Sequence, residues 1–127
     1  MNQIDEPQSL WVDAARHPLG LRVRVWGEET YENTVAYWRA ILRHLRLTGA
    51  GNLLVVDELE GAGLSEPEWL ELVIEIAALG LGPVRIAHVK PHGRRAVEYC
   101  ELFARDAGYD ARVFTSEQDA ERWLRDV

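Results

Sequence analysis

Two stretches of the chain gather the side chains able to do chemistry. The first runs Asp57-Glu58-Leu59-Glu60-Gly61-Ala62-Gly63-Leu64-Ser65-Glu66-Pro67-Glu68, and Glu71 and Glu75 follow at helical spacing. The second, Lys90-Pro91-His92-Gly93-Arg94-Arg95, brings a lysine, a histidine and two arginines together. An acidic run without a cation either docks a basic partner surface through charge complementarity or simply keeps a face solvated. The basic cluster stands where an apolar, strand-like run hands over to a helical one, on the side of an open α/β sheet where ligands bind. Helix-start amides together with Lys90, His92, Arg94 and Arg95 could there hold a phosphate or carboxylate. The glycines fit neither a P-loop nor a dinucleotide fingerprint, so no nucleotide is implied.

Other candidates are weighed by spacing. Ser65 is a candidate phosphoacceptor, since a phosphate would add about −1.5 to −2 charges at a helix N-terminus, where the dipole favours an anion. Glu66 and Glu68 would repel it, and a capping role with Glu68 three positions on explains the serine by itself. His88 and His92 are four apart across a strand-to-helix junction, share no helix face and have no third ligand at a fixed offset, so no metal is expected. Cys100 falls in the middle of a helical pattern and reads as a small buried hydrophobe. The five tryptophans lie on apolar stripes, which makes them core by default. Trp26, Tyr31, Trp38 and Trp69 are the candidate lining of an apolar pocket or dimer contact.

The elements that must position these residues follow from periodicity. Ser9 to Ala15 and Leu21 to Trp26 read as strands, the second alternating apolar with basic, joined as a hairpin through His17-Pro18-Leu19-Gly20. Thr30 caps a helix to about Leu47 with Val35, Trp38, Leu42 and Leu45 on one stripe, ended by Thr48-Gly49-Ala50-Gly51. Asn52 to Asp57 is an apolar run suited to a central parallel strand buried on both faces. Ser65 opens a helix to about Leu79 that buries Trp69, Val73 or Leu72, Ile76 and Ala77 and stops at Gly80-Leu81-Gly82-Pro83. Val84 to Val89 is the next strand, His92 to Ala107 the next helix, Ala111 to Phe114 a last strand, and Ser116 caps a final helix with Trp123 and Leu124 facing inward. The order ββαβαβαβα predicts an α/β fold, a mixed, mostly parallel sheet with an N-terminal antiparallel hairpin. Residues 1–8 read as a flexible tail and residues 9–127 as a single domain.

Composition bounds the rest. A chain of 127 residues with 47% hydrophobic content can build one ordinary core without disulfides or a structural metal. The net charge of −7 argues against nucleic acid as a partner, because phosphate binding needs clustered Lys and Arg. Residues 47–84 hold seven acids and no Lys or Arg, so this stretch accounts for the whole excess. One cysteine, a start without signal-peptide features, and uncharged runs far short of the ~20 residues of a spanning helix predict a cytoplasmic location without membrane insertion.

Specific residues of the second half suggest a family. They are the strand Leu53-Leu54-Val55-Val56-Asp57 ending in an acid, the helix opening at Ser65 and the strand Val84-Arg85-Ile86-Ala87-His88-Val89. Phe103-Ala104-Arg105-Asp106-Ala107-Gly108 and the run from Arg112-Val113-Phe114 to Trp123-Leu124 complete the set. Together they resemble the STAS domain (sulfate transporter and anti-sigma-factor antagonist), and more closely its SpoIIAA-like relatives. The resemblance implies a non-catalytic regulatory or protein-interaction module that uses no cofactor. In the anti-sigma antagonists a serine opening the helix after the central strand is phosphorylated, and that helix with its preceding loop is the docking surface. Carried over, this makes Ser65 the phosphoacceptor and Asp57, Glu58, Glu60, Glu66, Glu68, Glu71 and Glu75 the partner-binding residues, although this chain lacks the family's Asp-Ser-Ser-Gly. The partner is a protein or a second copy, for which Arg39, Arg43 and Arg46 form a basic stripe of matching length. Similarity of SpoIIAA-like proteins to CRAL-TRIO lipid-transfer domains implies an alternative, a carrier or sensor of a small hydrophobic or lipid-like ligand. A weaker alternative is a small α/β enzyme acting at the strand ends near Asp57 and Lys90.

Overall fold

The computed structural model describes residues 9–126, so the expected tail at residues 1–8 lies outside the described residues. Strands β1 (Leu10–His17) and β2 (Gly20–Glu28) form the antiparallel hairpin. Gly20 must be glycine, because it turns the chain at φ 142° and a Cβ there would collide with the Asn52 carbonyl. Helix α1 (Tyr31–Thr48) starts where Thr30 Oγ1 accepts from the Asn33 amide at 3.1 Å and ends at Gly49 in the left-handed region, φ 68°. There follow β3 (Asn52–Glu60), α2 (Glu66–Ala78), β4 (Arg85–Val89), α3 (Tyr99–Asp106), β5 (Asp110–Phe114) and α4 (Glu117–Arg125). The order is ββαβαβαβα, and the five strands lie side by side in chain order, parallel from β2 onward.

That strand order decides where the helices go. Parallel strands added always on the same side through right-handed crossovers put every crossover helix on one face, here α1, α2 and α3. Only α4, which follows the last strand, covers the other face, over Leu54, Val56, Ala87 and Val89. β3 and β4 are therefore buried on both sides, which accounts for the apolar run Leu53-Leu54-Val55-Val56 in β3. On the three-helix face Leu21, Val23, Val25, Leu53, Val55, Leu59, Ile86 and Val113 meet Tyr37, Ile41, Trp69, Leu72 and Ile76. Among the described residues no helix covers the hairpin half of the α4 face, and there Trp11 stacks on Trp26 and Arg24 lies over the Trp26 ring.

Two boundaries differ from the sequence reading by three residues or more. β3 continues to Glu60 instead of ending at Asp57, because the long strand β2 keeps pairing with it from Val25↔Asp57 to Glu28↔Glu60. α3 begins at Tyr99 and not at His92, so residues 91–98 form a loop after Lys90. Pro91, Gly93 at φ 112° and bonds from Lys90 and the Arg95 amide to Glu98 hold that loop out of helix. The buried stripe of α1 also shifts: Tyr37, Trp38, Ile41 and Leu42 are buried, while Val35 and Leu45 are only partly so. In α2, Leu72 is buried and Val73 and Ala77 are half-buried. No helix among the described residues is long and apolar enough to cross a membrane.

Candidate functional site

Among the described residues four acidic or basic side chains are buried, Asp57, His88, Lys90 and Glu98, and all four gather near the carboxyl ends of β3 and β4. Strand alternation puts two of them together. Asp57 shares its face with Leu53, Val55 and Leu59, and His88 is paired in register with Val55, so His88 reaches Asp57 diagonally beneath α1. His88 Nε2 lies 2.9 Å from Asp57 Oδ2. The Tyr37 hydroxyl donates to the same oxygen at 3.3 Å, and the Leu59 amide donates to Oδ1 at 3.1 Å. Burial alone would lower the His88 pKa, but the Asp57 carboxylate, with the Cys100 thiol beside it, raises it to about 9. Burial likewise opposes the Asp57 charge, and the His88 bond more than offsets this, holding the carboxyl below its ordinary value. The pair is an imidazolium and a carboxylate. Burial and the Asp57 charge push the Tyr37 hydroxyl far up, so it stays a donor. Trp38 packs edge-on to His88 with ring centroids 6.3 Å apart, and its buried Nε1 has no hydrogen-bond partner among the described residues.

A second pair adjoins the first. Lys90 Nζ donates to Glu98 Oε1 at 2.6 Å and lies 5.5 Å from the centre of the Trp69 ring. Glu98 Oε2 accepts from the Arg95 amide at 2.7 Å, and the Cys100 thiol lies 3.7 Å from Oε1. Burial opposes both charges. For Lys90 the Cys100 thiol and Glu98 outweigh it and raise the pKa; for Glu98 the Lys90 bond and the Arg95 amide outweigh it and lower the pKa.

Over these pairs opens a polar cleft of about 600 Å³. Its walls are Glu29 after β2, Leu59, Glu60 and Gly61 at the end of β3, and Lys90 with the loop residues His92 to Ala96; Asp57 also lines it. Arg95 ties the walls together: Nη2 donates to Glu29 Oε1 at 3.0 Å and to the Gly61 carbonyl at 3.4 Å. Its guanidinium lies against Gly63, where a Cβ would collide with it. Burial and the Asp57 charge raise the Glu29 pKa against the opposing pull of Arg95 and Lys90.

Several expectations change once the residues are placed. Asp57 does not belong to a docking surface, because it faces the core and is bonded to His88. Glu58 points to the opposite side of the sheet, where it pairs with Arg24 at 2.6 Å. Glu66, Glu68 and Glu71 lie on α2, with Glu66 and Glu71 exposed. Glu75 pairs with Arg39 of α1 at 3.2 Å, and Arg46 donates to the Leu79 carbonyl at the end of α2. Two of the three arginines of the basic stripe thus serve the neighbouring helix of the same chain. Ser65 is exposed and forms the full capping box, its amide donating to Glu68 Oε1 at 2.8 Å and its Oγ accepting from the Glu68 amide at 3.4 Å. Lys90, His92, Arg94 and Arg95 line one cleft, but no helix starts among them, so helix-start amides contribute nothing there.

The four aromatic candidates do not share a pocket. Trp38 and Trp69 line a small apolar cavity with His88 and Cys100, Trp26 lies across the sheet on Trp11, and Tyr31 packs at the start of α1 near the acids of α2. The cavity measures about 40 Å³, room for a few waters and far below the ~300–1,000 Å³ of sites that hold drug-sized ligands. Among the described residues no three His, Cys, Asp or Glu side chains converge as a metal site. The sequence reading missed Tyr37, Glu98 and Glu29. The one available signal was Leu59, apolar two residues after Asp57, which extends the strand and turns Asp57 inward.

No protein-family model and no curated protein matches this chain. Among solved structures it is similar to the one titled "NMR Structure of the protein TM1081", at 13% identity over 100% of this chain and 98% of that chain, with a TM-score of 0.45.

Proposed function

We propose that the chain is a non-catalytic protein-interaction module of the SpoIIAA-like type that docks its partner through α2. The observation that carries this reading is the outward side of that helix. α2 already buries Trp69, Leu72 and Ile76 against the sheet, yet Leu70 and Ile74, one turn apart, are 44% and 60% exposed. A surface helix normally turns polar residues outward. α4 does so with Gln118, Arg122 and Arg125. Glu66 and Glu71 flank the apolar pair and have no ion-pair partner among the described residues. An apolar centre with a charged rim is the composition of a docking surface, and the acids fit a partner whose own apolar patch is bordered by Lys and Arg.

The test is a photo-crosslinking amino acid placed at Ile74, and at Arg122 of α4 as control, in the full chain inside its native cell. The reading expects Ile74 to capture one defined protein, or a second copy, and Leu70→Ser to abolish that capture while the circular dichroism spectrum stays unchanged. Equal labelling from both positions would remove it.

A further inference from the structure

The cleft over β2, β3 and β4 has an uneven inventory of donors and acceptors. Its inner acids are occupied by the protein itself. Asp57 accepts from His88, Tyr37 and the Leu59 amide, Glu98 behind the wall accepts from Lys90 and the Arg95 amide, and Glu29 accepts from Arg95. The cations are not saturated. An ammonium carries three N–H donors and a guanidinium five. Lys90 Nζ uses one on Glu98, and Arg95 uses Nη2 on Glu29 and Gly61. Arg94, exposed on the same wall, makes no hydrogen bond or ion pair among the described residues. Against these free donors Glu60 is the one lining acid without a side-chain partner among the described residues, so the surplus in the cleft is of cationic donors.

We propose that the cleft is a binding site for a small organic oxyanion, a carboxylate or phosphate group on a compact molecule. The group sits between Arg94 and Lys90, with His92 beside it. Charge-assisted bonds from guanidinium and ammonium are the strong kind, and a guanidinium matches either oxyanion in a two-bonded geometry. The volume of about 600 Å³ exceeds what the anion alone fills and lies in the range of small-molecule sites. Placement at the carboxyl ends of parallel strands is where open α/β sheets bind ligands. Glu60, exposed at the end of β3 and without an ion-pair partner among the described residues, repels an anion and sets it toward the loop of residues 91–98. The site does not depend on α2 being a docking surface.

The test is titration of the ¹⁵N-labelled full chain, at constant ionic strength, with inorganic phosphate and separately with succinate. Saturable amide shifts are expected at Gly61 and from His92 to Arg95. Arg94→Gln, which disturbs no internal bond, should weaken binding about tenfold, the scale of one charged hydrogen bond. Glu60→Gln should tighten it, and Arg43→Gln, at an exposed arginine on α1, should leave it unchanged. Saturation by phosphate alone assigns a phosphate ligand, by succinate alone a carboxylate, and by both the shared oxyanion chemistry. Shifts that do not saturate with either probe, or that survive Arg94→Gln at full strength, overturn the proposal.

Discussion

Asp57 and Glu71 belong to one acidic stretch of the chain, and the fold uses them in opposite ways. Asp57 is in the interior of β3, where taking its charge from water costs several kcal/mol unless a cation and hydrogen-bond donors meet it, and His88, Tyr37 and the Leu59 amide do. Glu71 stands on α2 in solvent, where a charge costs nothing to keep and contributes little to stability. Lys90 and Arg94 repeat the contrast among the cations: one is buried on Glu98, the other has no partner among the described residues. A run of like charges in a sequence is therefore not one surface. Here it divides into a buried network at the strand ends, an ion pair on the far side of the sheet, and an exposed helix face.

The largest effect that tests this division comes from Asp57→Ala. It leaves the buried His88 and Tyr37 without their acceptor and should lower stability by about 3–5 kcal/mol in urea unfolding, whereas Glu71→Gln should stay within about 0.5 kcal/mol. Similar losses from the two variants would break the comparison.

A smaller effect is the response to pH. His88 has a folded pKa of about 9 against an ordinary value of 6.5, so its contribution is fully present below pH 6.5 and is lost as pH rises through about 9. Asp57 has its pKa lowered, so its contribution is present above its unfolded value, roughly 3.9, and is lost as pH falls below that. The urea midpoint should be highest between those unfolded values and decline toward pH 9, and His88→Gln should flatten the alkaline decline. A wild-type midpoint that is level from pH 6.5 to 9 would contradict the buried ion pair.

The smallest effects belong to the exposed region. Ser65→Ala removes half of the capping box and should cost about 1 kcal/mol, read as a lower melting temperature. Arg39→Gln, which frees the half-buried Glu75 from an exposed partner, should cost less than about 1 kcal/mol.

Most of the fold was legible because its signals are local. The cap at Thr30, the capping box of Ser65 and Glu68, the glycine stop at Gly49 and the alternation of Leu21 to Trp26 each depend on residues within one turn or a few strand positions. The candidate site was legible only as a list of neighbours. In β3 the apolar residues on both faces hid the alternation that turns Asp57 inward. The start of α3 was misplaced because Glu98, eight residues beyond Lys90, returns to it and holds the intervening segment as a loop.

The sequence by itself determined which segments become strands and helices, where most of the helices begin and that the strands build a mixed sheet, since hydrophobic period and capping chemistry act over a few residues. Only the tertiary structure decided that Asp57 meets His88, that Glu75 meets Arg39, and that Glu29 and Arg95 close one cleft. Those pairings depend on strand order and on the right-handed crossovers that stack three helices on one face. Both are properties of the packed whole, in which residues 31, 36 and 66 positions apart in the chain become neighbours.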